Sequence, residues 1–349
     1  MDFKEVILKD GGGDAVSPVT IASSIYDKSG DAFISAINNV LENNPPLKWN
    51  LIQQNALGTP TAICYGGDRW VVGDDSGSIA YSLDGITWVK SSQTVFTSSI
   101  TGICYGDGKF LAVESSEILG LSRDGGVTWE VLRSFSSFTC QDICYGNGTF
   151  VVAGGVIDGL TTHAEIRWST DLVEWDVETQ FHMENFPSAP INCLCYGNGI
   201  FLAGDNEGQL FYTKEDNIFW KPGYDMSEPI VSICYGEGKF IVAPSNGARV
   251  LCISKKQSSY ITSPTPITSG YLKAACYGNG KFLAVGGGED SNGKSKGRII
   301  YSADGFNWVE VPQSLYSDPY ILSCAYHNGK FIIGGMAEGL ACCQVALPM

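Results

Sequence analysis

The phrase ICYGGDRW at 63–70 returns as ICYGDGKF at 103–110, ICYGNGTF at 143–150, LCYGNGIF at 194–201, ICYGEGKF at 233–240, ACYGNGKF at 275–282 and CAYHNGKF at 324–331. Counted from tyrosine to tyrosine, the spacings are 40, 40, 51, 39, 42 and 49 residues. A period of about 40–50 residues is that of four-stranded propeller blades, and the helical periodicity of solenoid arrays is absent. Each copy carries a short polar turn, such as Asp107-Gly108, Asn147-Gly148, Asn198-Gly199, Asn279-Gly280 or Asn328-Gly329. Pairs of this kind supply the two positive φ angles of a two-residue hairpin. Each copy is therefore expected to open with a hairpin, run through a loop of variable length, and return as a third strand.

The third strand ends in a second recurring turn. It reads Ser82-Leu-Asp84-Gly85-Ile-Thr-Trp88, Ser122-Arg-Asp124-Gly125-Gly-Val-Thr128-Trp129, Ser169-Thr-Asp171-Leu-Val-Glu-Trp175 and Ser302-Ala-Asp304-Gly305-Phe-Asn-Trp308. Short Ser and Asp side chains bond nearby amides, Gly takes the left-handed conformation, and Trp folds back over the hairpin. The fourth copy, Thr213-Lys-Glu-Asp216-Asn-Ile-Phe-Trp220, is degraded, and the fifth, from Ser254 to Tyr260, has lost both Asp and Trp.

The seventh copy runs out after a third strand, so one strand is missing. Upstream of the first copy, Leu47-Lys-Trp49-Asn-Leu-Ile52 has the Trp-centred look of a fourth strand. Residues 47–52, with Trp49 at their centre, are expected to close the ring by pairing near Ala341 to Gln344, leaving no unpaired blade end. The expected fold is thus all-β: a seven-bladed β-propeller over 47–349, closed by an N-terminal strand. A separate arm, 1–46, carries Phe33, Ile34, Ile37, Val40 and Leu41 at helical spacing, an amphipathic helix from about Ser29 to Glu42. Val19 to Tyr26 reads as a strand, and Pro45-Pro46 as the break before the propeller.

Composition removes several function classes. The formal charge is −15, from 37 acidic and 22 basic residues, so the basic surface that neutralises phosphates is missing and nucleic acid is not an expected partner. No run of 18 apolar residues offers a membrane helix, and the opening MDFKEVILKDGGGD has neither the basic region nor the apolar core of a signal peptide. The expectation is synthesis in the cytoplasm without membrane insertion. The 12 cysteines fall mostly once per repeat, which reads as small packed thiols rather than a disulfide framework. His163, His182 and His327 are far apart, and no paired Cys-x-x-Cys spacing is present, so neither metal nor cofactor is expected.

The turn Ser-x-Asp-x-Gly-x-Thr-Trp resembles the Asp-box of sialidase-type β-propellers. That resemblance implies three arginines clamping a carboxylate, a tyrosine nucleophile with a glutamate partner, an aspartate acid and an Arg-Ile-Pro phrase. The six arginines, at 69, 123, 133, 167, 249 and 298, do not form such a set, with Arg69 and Arg123 falling in turns, and Arg-Ile-Pro does not occur. Catalytic residues are therefore not carried over. The loop acids Asp74, Asp75, Glu114, Glu117, Asp158, Glu165, Asp205, Glu207, Glu289 and Asp290 read as solvated charges, with no pair marked as the facing carboxylates of a glycosidase.

The blade phrase Tyr-Gly-Asn-Gly-Lys-Phe, followed by Tyr-Ser-x-Asp-Gly-x-x-Trp, is similar to propeller domains of bacteriophage tail, fibre and receptor-binding proteins. The resemblance covers 47–349 and implies a non-enzymatic virion or phage-tail-like particle component. Other particle proteins would be held through 1–46, with Phe33, Ile37, Val40 and Leu41 as the assembly face, and a homo-oligomer is expected. A cell-surface glycan or protein would be bound by the face bearing the longest loops, with Phe181, His182, Glu184, Phe186, His163, Glu165, Glu289 and Asp290 as candidates. Two alternatives remain open: a sialidase-like glycan-cleaving enzyme, and a cellular assembly factor, since Asp-box propellers also serve photosynthetic assembly.

Overall fold

The computed structural model describes residues 8–9, 15–16, 50–52, 57–159, 161–177, 189–214, 217–254, 260–289, 292–311, 320–335 and 339–344. The chain divides into two compact units, Met1–Pro46 and Leu47–Met349. In the first, the described residues form one small ladder, Leu8–Lys9 with Ala15–Val16. The expected helix at 29–42, its residues Phe33, Ile37, Val40 and Leu41, and the strand at 19–26 lie outside the described residues.

The second unit is all-β among its described residues. Six antiparallel blades are each built from four consecutive strands, and a seventh four-stranded sheet is composite. The inner strands are Pro60–Gly66, Ile100–Gly106, Phe138–Gly146, Ile191–Gly197, Ile230–Gly236, Tyr271–Gly278 and Ile321–His327. We number the blades 1 to 7 in that order. Each inner strand touches the next, and that of blade 7 touches that of blade 1, so the arrangement is a closed ring. Blade 7 takes its fourth strand from Asn50–Ile52, which pairs Asn50 with Cys342, Leu51 with Ala341 and Ile52 with Leu340. Trp49 itself lies outside the described residues.

Burial follows the position of each strand. Second strands are sandwiched between neighbouring blades, so their apolar runs are sealed on both sides: Phe110, Leu111, Ala112 and Val113 are all fully buried. The outer Val89–Lys90 and Asp176–Val177 are exposed. Among the described residues the core is accordingly seven clusters, one per junction. Leu111, Val113, Leu119 and Leu121 of blade 2 meet Phe138, Cys140, Phe150 and Val152 of blade 3. At the closing junction Ile332 of blade 7 meets Trp70, Val72 and Ala80 of blade 1.

The repeated phrase encodes the junctions. Within a blade, Tyr and Phe of the phrase lie opposite each other, as Tyr105 and Phe110 do, with ring centroids 4.8 Å apart. Between blades, the tyrosine ring lies on the glycine of the preceding copy. A Cβ placed on Gly66, Gly106, Gly146, Gly197, Gly236 or Gly278 would come within 1.8–2.2 Å of the next tyrosine's Cγ. Only glycine admits this approach. Blade 7 carries His327 where the others carry glycine, and there the tyrosine of blade 1 stacks on the imidazole, with Tyr65 and His327 centroids 3.4 Å apart and planes 9° from parallel. Burial lowers the His327 pKa, opposed by the charge of Asp68, so the neutral ring is favoured in the stack.

Every inner hairpin also has a register shift four to five residues before its tyrosine. Side chains at the extra residue reach the next blade: Thr61 Oγ1 donates to the Ile100 carbonyl at 2.6 Å, Thr101 Oγ1 to Cys140 at 3.1 Å, and Asn192 Nδ2 to Ile230 at 3.1 Å. Such a bulge re-aims a side chain, and here it serves as an interblade tie.

Candidate functional face

Antiparallel connectivity puts two kinds of turn at one end of the ring. The first-hairpin turns and the Ser-x-Asp turns share it, as side chains crossing from blade to blade show. Lys239 Nζ donates to the Asp304 carbonyl at 2.9 Å, and Lys330 Nζ to that of Asp84 at 2.6 Å. The first-hairpin turns use left-handed residues throughout, including Asn147 at φ 47° and Gly148 at φ 78°.

The Ser-x-Asp turns are closed on themselves. Asp84 Oδ1 accepts from the amides of Ile86 and Thr87 at 2.8 and 2.7 Å and from the Ser82 hydroxyl at 2.9 Å, while Ser82 Oγ accepts from the Gly85 amide at 2.8 Å. Asp304 repeats this with Phe306, Asn307 and Ser302, as does Asp171 with Val173, Glu174 and Ser169. In blade 2 an added residue moves the amides accepted by Asp124 to Val127 and Thr128, and that accepted by Ser122 Oγ to Gly126. Burial raises the Asp84 and Asp304 pKa values, but the amide and hydroxyl donors outweigh it and hold both at about 2. Trp129 and Trp308 cover their turns, Nε1 donating to the Gly126 and Gly305 carbonyls at 3.3 and 3.2 Å. Trp88 and Trp175 Nε1 are buried without a partner. In blade 4 the fourth strand begins at Asn217, which pairs with Lys214; Asp216 of the degraded copy lies outside the described residues. These residues fold the end of the ring and leave it little unspent polar chemistry.

The opposite end gathers the loops between second and third strands and the links between blades. Asp75, Asp158, Glu207 and Glu289 are exposed, as the sequence suggested, but Asp74, Glu114 and Asp205 are buried rather than solvated. Asp74 is fully buried: Oδ1 accepts from the amides of Ser76 and Ser78 and the Ser76 hydroxyl, and Oδ2 accepts from the Gly58 amide at 2.7 Å. Glu114, also fully buried, accepts from the amides of Thr97 and Ser98 at 2.8 and 2.9 Å and from the Ser116 hydroxyl. Burial raises its pKa and these donors more than reverse the effect. Asp205 accepts from Glu207 and Gln209 at one oxygen, and burial pushes it up to about 6. Asp75 takes the Thr59 amide and Glu117 the Ser137 amide. Carboxylates at or just after the ends of second strands thus brace the segments entering blades 1, 2 and 3, while Asp205 braces its own loop.

Two hairpins reach further at this end. In blade 3, Thr149–Asp158 and Thr161–Ser169 pair out to Asp158 opposite Thr161; in blade 6, Lys281–Glu289 and Ser295–Ser302 pair out to Glu289 opposite Ser295. The corresponding strands of blades 1, 4 and 5 have four to six residues. The sequence-derived binding residues divide between these hairpins. His163 is half-buried opposite Val156. Glu165 is ion-paired with Arg167, whose guanidinium lies 4.7 and 4.9 Å from the Phe135 and Phe138 ring centres. Glu289 is exposed at the blade 6 hairpin. The structure therefore places His163 and Glu165 three blades away from Glu289 rather than in one cluster. Phe181, His182, Glu184, Phe186 and Asp290 lie outside the described residues.

Sequence reasoning passed over what supports the blade 6 hairpin. Tyr271 and Tyr320 stack, centroids 6.4 Å apart, and the Tyr320 hydroxyl bonds Ser295 Oγ at 2.8 Å. Arg298, almost fully buried, donates to Glu310 at 2.7 Å and to the Ser269 carbonyl at 3.1 Å, with Nε left without a partner. A signal was present: Tyr271 and Tyr320 each precede the tyrosine of their phrase by six residues. Arg123 pairs with Glu130, Arg133 with the Val173 carbonyl and Arg249 with Glu228, while Arg69 lies over Tyr81. The six arginines are thus spread over blades 1, 2, 3, 5 and 6, each committed locally. An apolar pocket between blades 4 and 5 is lined by Leu210, Tyr212, Tyr224, Ile253 and Tyr260, with Tyr224 stacked on Tyr260 at 5.2 Å. Among the described residues no group of three His, Cys, Asp or Glu side chains is arranged to hold a metal.

No protein-family model and no curated protein sequence matches this chain. Solved structures do. YCF48 from Cyanidioschyzon merolae is similar at 11% identity over 85% of this chain and 98% of its own, with a TM-score of 0.64. YCF48 bound to D1 peptide is similar at 15% identity over 86% and 97%, again with a TM-score of 0.64. The WD40 propeller domain of Doa1 is similar at 11% identity over 84% and 96%, with a TM-score of 0.62. Identities this low speak for architecture alone, and the chain has the all-β propeller fold.

Proposed function

We propose that this protein is a non-enzymatic binding propeller, a virion or phage-tail-like particle component that takes a cell-surface glycan or protein on its loop face and attaches to its particle through residues 1–46. The observation that carries the reading is the state of the loop-face carboxylates. Asp74 and Glu114 are buried and held at both oxygens by backbone amides and serine hydroxyls, so neither is poised for acid–base work on a glycosidic bond. What this face offers instead is shape: two projecting hairpins on a braced ring. Variable loops on a rigid scaffold are how propellers acquire partners, and a propeller of similar architecture has been solved with a peptide bound. Sequence similarity of the blade phrase to phage fibre domains directs the reading to a particle.

The test has two arms. Light scattering compares the full chain with one beginning at Pro45; an assembled full chain and a monomeric truncation support the arm as an attachment element. Glycan arrays and cell binding are then run beside fluorogenic glycosidase substrates. Binding that is lost when the blade 6 hairpin is shortened, without turnover, supports the reading; turnover of any glycoside overturns it.

A further inference from the structure

Six inner strands carry cysteine at one equivalent position, 64, 104, 144, 195, 234 and 276, and the seventh carries Ala325 there. Register fixes the equivalence: Cys104 lies opposite Leu111, Cys276 opposite Leu283, and Ala325 opposite Ile332. These thiols turn toward the following blade, as Cys64 does in bonding the main chain of Tyr105 and Cys144 in bonding that of Tyr196. By the same placement Cys276 turns toward blade 7.

Blade 7 also has a cysteine, but one residue early. Cys324 lies opposite Ile333, and a shift of one along a strand throws the side chain to the other face. Cys324 therefore looks back at blade 6. Elsewhere this earlier position is Ile63, Ile103, Ile143, Leu194, Ile233 or Ala275, so the other thiols meet hydrocarbon. Here Cys276 and Cys324 meet each other in a side-chain hydrogen bond. Both pack on the apolar cluster shared by blades 6 and 7 and both are half-buried.

We propose that Cys276 and Cys324 are a redox modification site, forming a disulfide that clasps blade 6 to blade 7 when the protein meets a peroxide. Balance is simple: one thiolate attacks hydrogen peroxide, giving a sulfenic acid and hydroxide, which leaves as water. The second sulfur then displaces the sulfenic oxygen, which leaves as a second water. Both sulfurs are oxidised, one O–O bond and two S–H bonds are lost, and one S–S bond forms. The clasp joins the ring beside the blade completed by Asn50–Ile52. Burial pushes the Cys276 thiol up, so the reaction is slow at neutral pH and speeds with pH.

The experiment uses the full chain, reduced and then titrated with hydrogen peroxide, alkylated and mapped with trypsin. Cys276 falls in peptide 274–281 and Cys324 in 299–330, each with a single cysteine. The expected result is one dominant dithiothreitol-sensitive link between these peptides. Alongside it, the melting midpoint rises by about 5 °C, and both changes are missing in Cys324→Ser. A dominant link between any other pair, or sulfinic and sulfonic acids at 276 and 324 without the linked peptide, overturns the proposal. The map of the unaltered chain decides this even if the variant folds poorly.

Discussion

Replacing Gly106 with alanine should destabilise the propeller far more than replacing Gly108, two residues away in the same turn. A Cβ on Gly106 would come 2.2 Å from Tyr145 Cγ and 2.4–2.5 Å from both Cδ atoms, where carbon atoms ordinarily sit about 3.5–4.0 Å apart. The ring must retreat by more than about 1 Å, yet it is held by Phe150, its centroid 4.5 Å away. Overpacking of this kind costs about 1–3 kcal/mol and more where backbone has to move, so the upper end, about 3 kcal/mol, is expected. At Gly108 an added Cβ meets nothing within 4 Å, and the penalty is only that of φ +74°, about 1 kcal/mol. In a domain of this size the two losses correspond to roughly 6 °C and 2 °C in melting midpoint. Thermal and urea unfolding followed by far-UV circular dichroism read both. A Gly106→Ala protein that melts with, or above, Gly108→Ala would refute the tyrosine-on-glycine contact as the repeated blade junction. Pairing Gly106→Ala with Tyr145→Ala should give less than the sum of the two losses, because the second change removes what the first collides with.

Thr101→Val keeps side-chain shape and removes the bond to the Cys140 carbonyl; a loss of about 1 kcal/mol is expected in urea unfolding, and an unchanged midpoint would deny the tie any weight. Asp142 accepts from the amides of Leu194 and Ile143 at 2.7 and 2.8 Å, and burial outweighs them to raise its pKa to about 7. The fold then holds a proton that the unfolded chain releases near pH 4, so this group makes stability fall as pH rises from about 4 to about 7; Asp142→Asn should flatten that slope. Asp304 runs the other way: its pKa is lowered to about 2, so its contribution is present above pH 4 and is lost as pH falls toward 2, a loss missing in Asp304→Asn. Starting the chain at Ala56 removes the strand paired with Leu340–Cys342 and should lower the midpoint by more than 10 °C, about the stability of several buried residues; unchanged melting would show closure to be dispensable.

The propeller was legible because one phrase carries the same local chemistry in every copy. Asn-Gly pairs impose hairpins and Ser-x-Asp turns impose the third-to-fourth strand reversal, whatever lies between them. The closing strand was legible by subtraction, since the seventh copy is short and 50–52 supplies what it lacks. The junctions were not. Nothing local in Tyr-Gly says that the glycine belongs to the next copy's tyrosine, since the contact spans some 40 residues; only His327, breaking the pattern, hinted that the position faces something. The loop carboxylates were misread for a related reason. Asp74 and Glu114 sit in polar loops that look solvated, and their burial follows from amides at Gly58, Thr97 and Ser98, which belong to the preceding link. Partners distant in sequence set the character of a side chain, and a single sequence does not list them.

The same misreading bears on function. A face whose acids were free would leave glycan cleavage and cation binding equally open. Once Asp74, Glu114 and one oxygen of Asp205 are assigned to backbone amides, these buried charges are spent on fixing the links that enter blades 1 and 2 and the loop that follows the second strand of blade 4. The hairpins of blades 3 and 6 stand apart from those of the other blades by their length. His163 with Glu165 on one hairpin and Glu289 on the other are too far round the ring to act on a single bond. On the proposed reading, the projecting ends of these two hairpins would meet a broad partner at two points. A surface built that way gains affinity from area and shape rather than from a reactive centre, which is why binding, not turnover, is the activity to look for first.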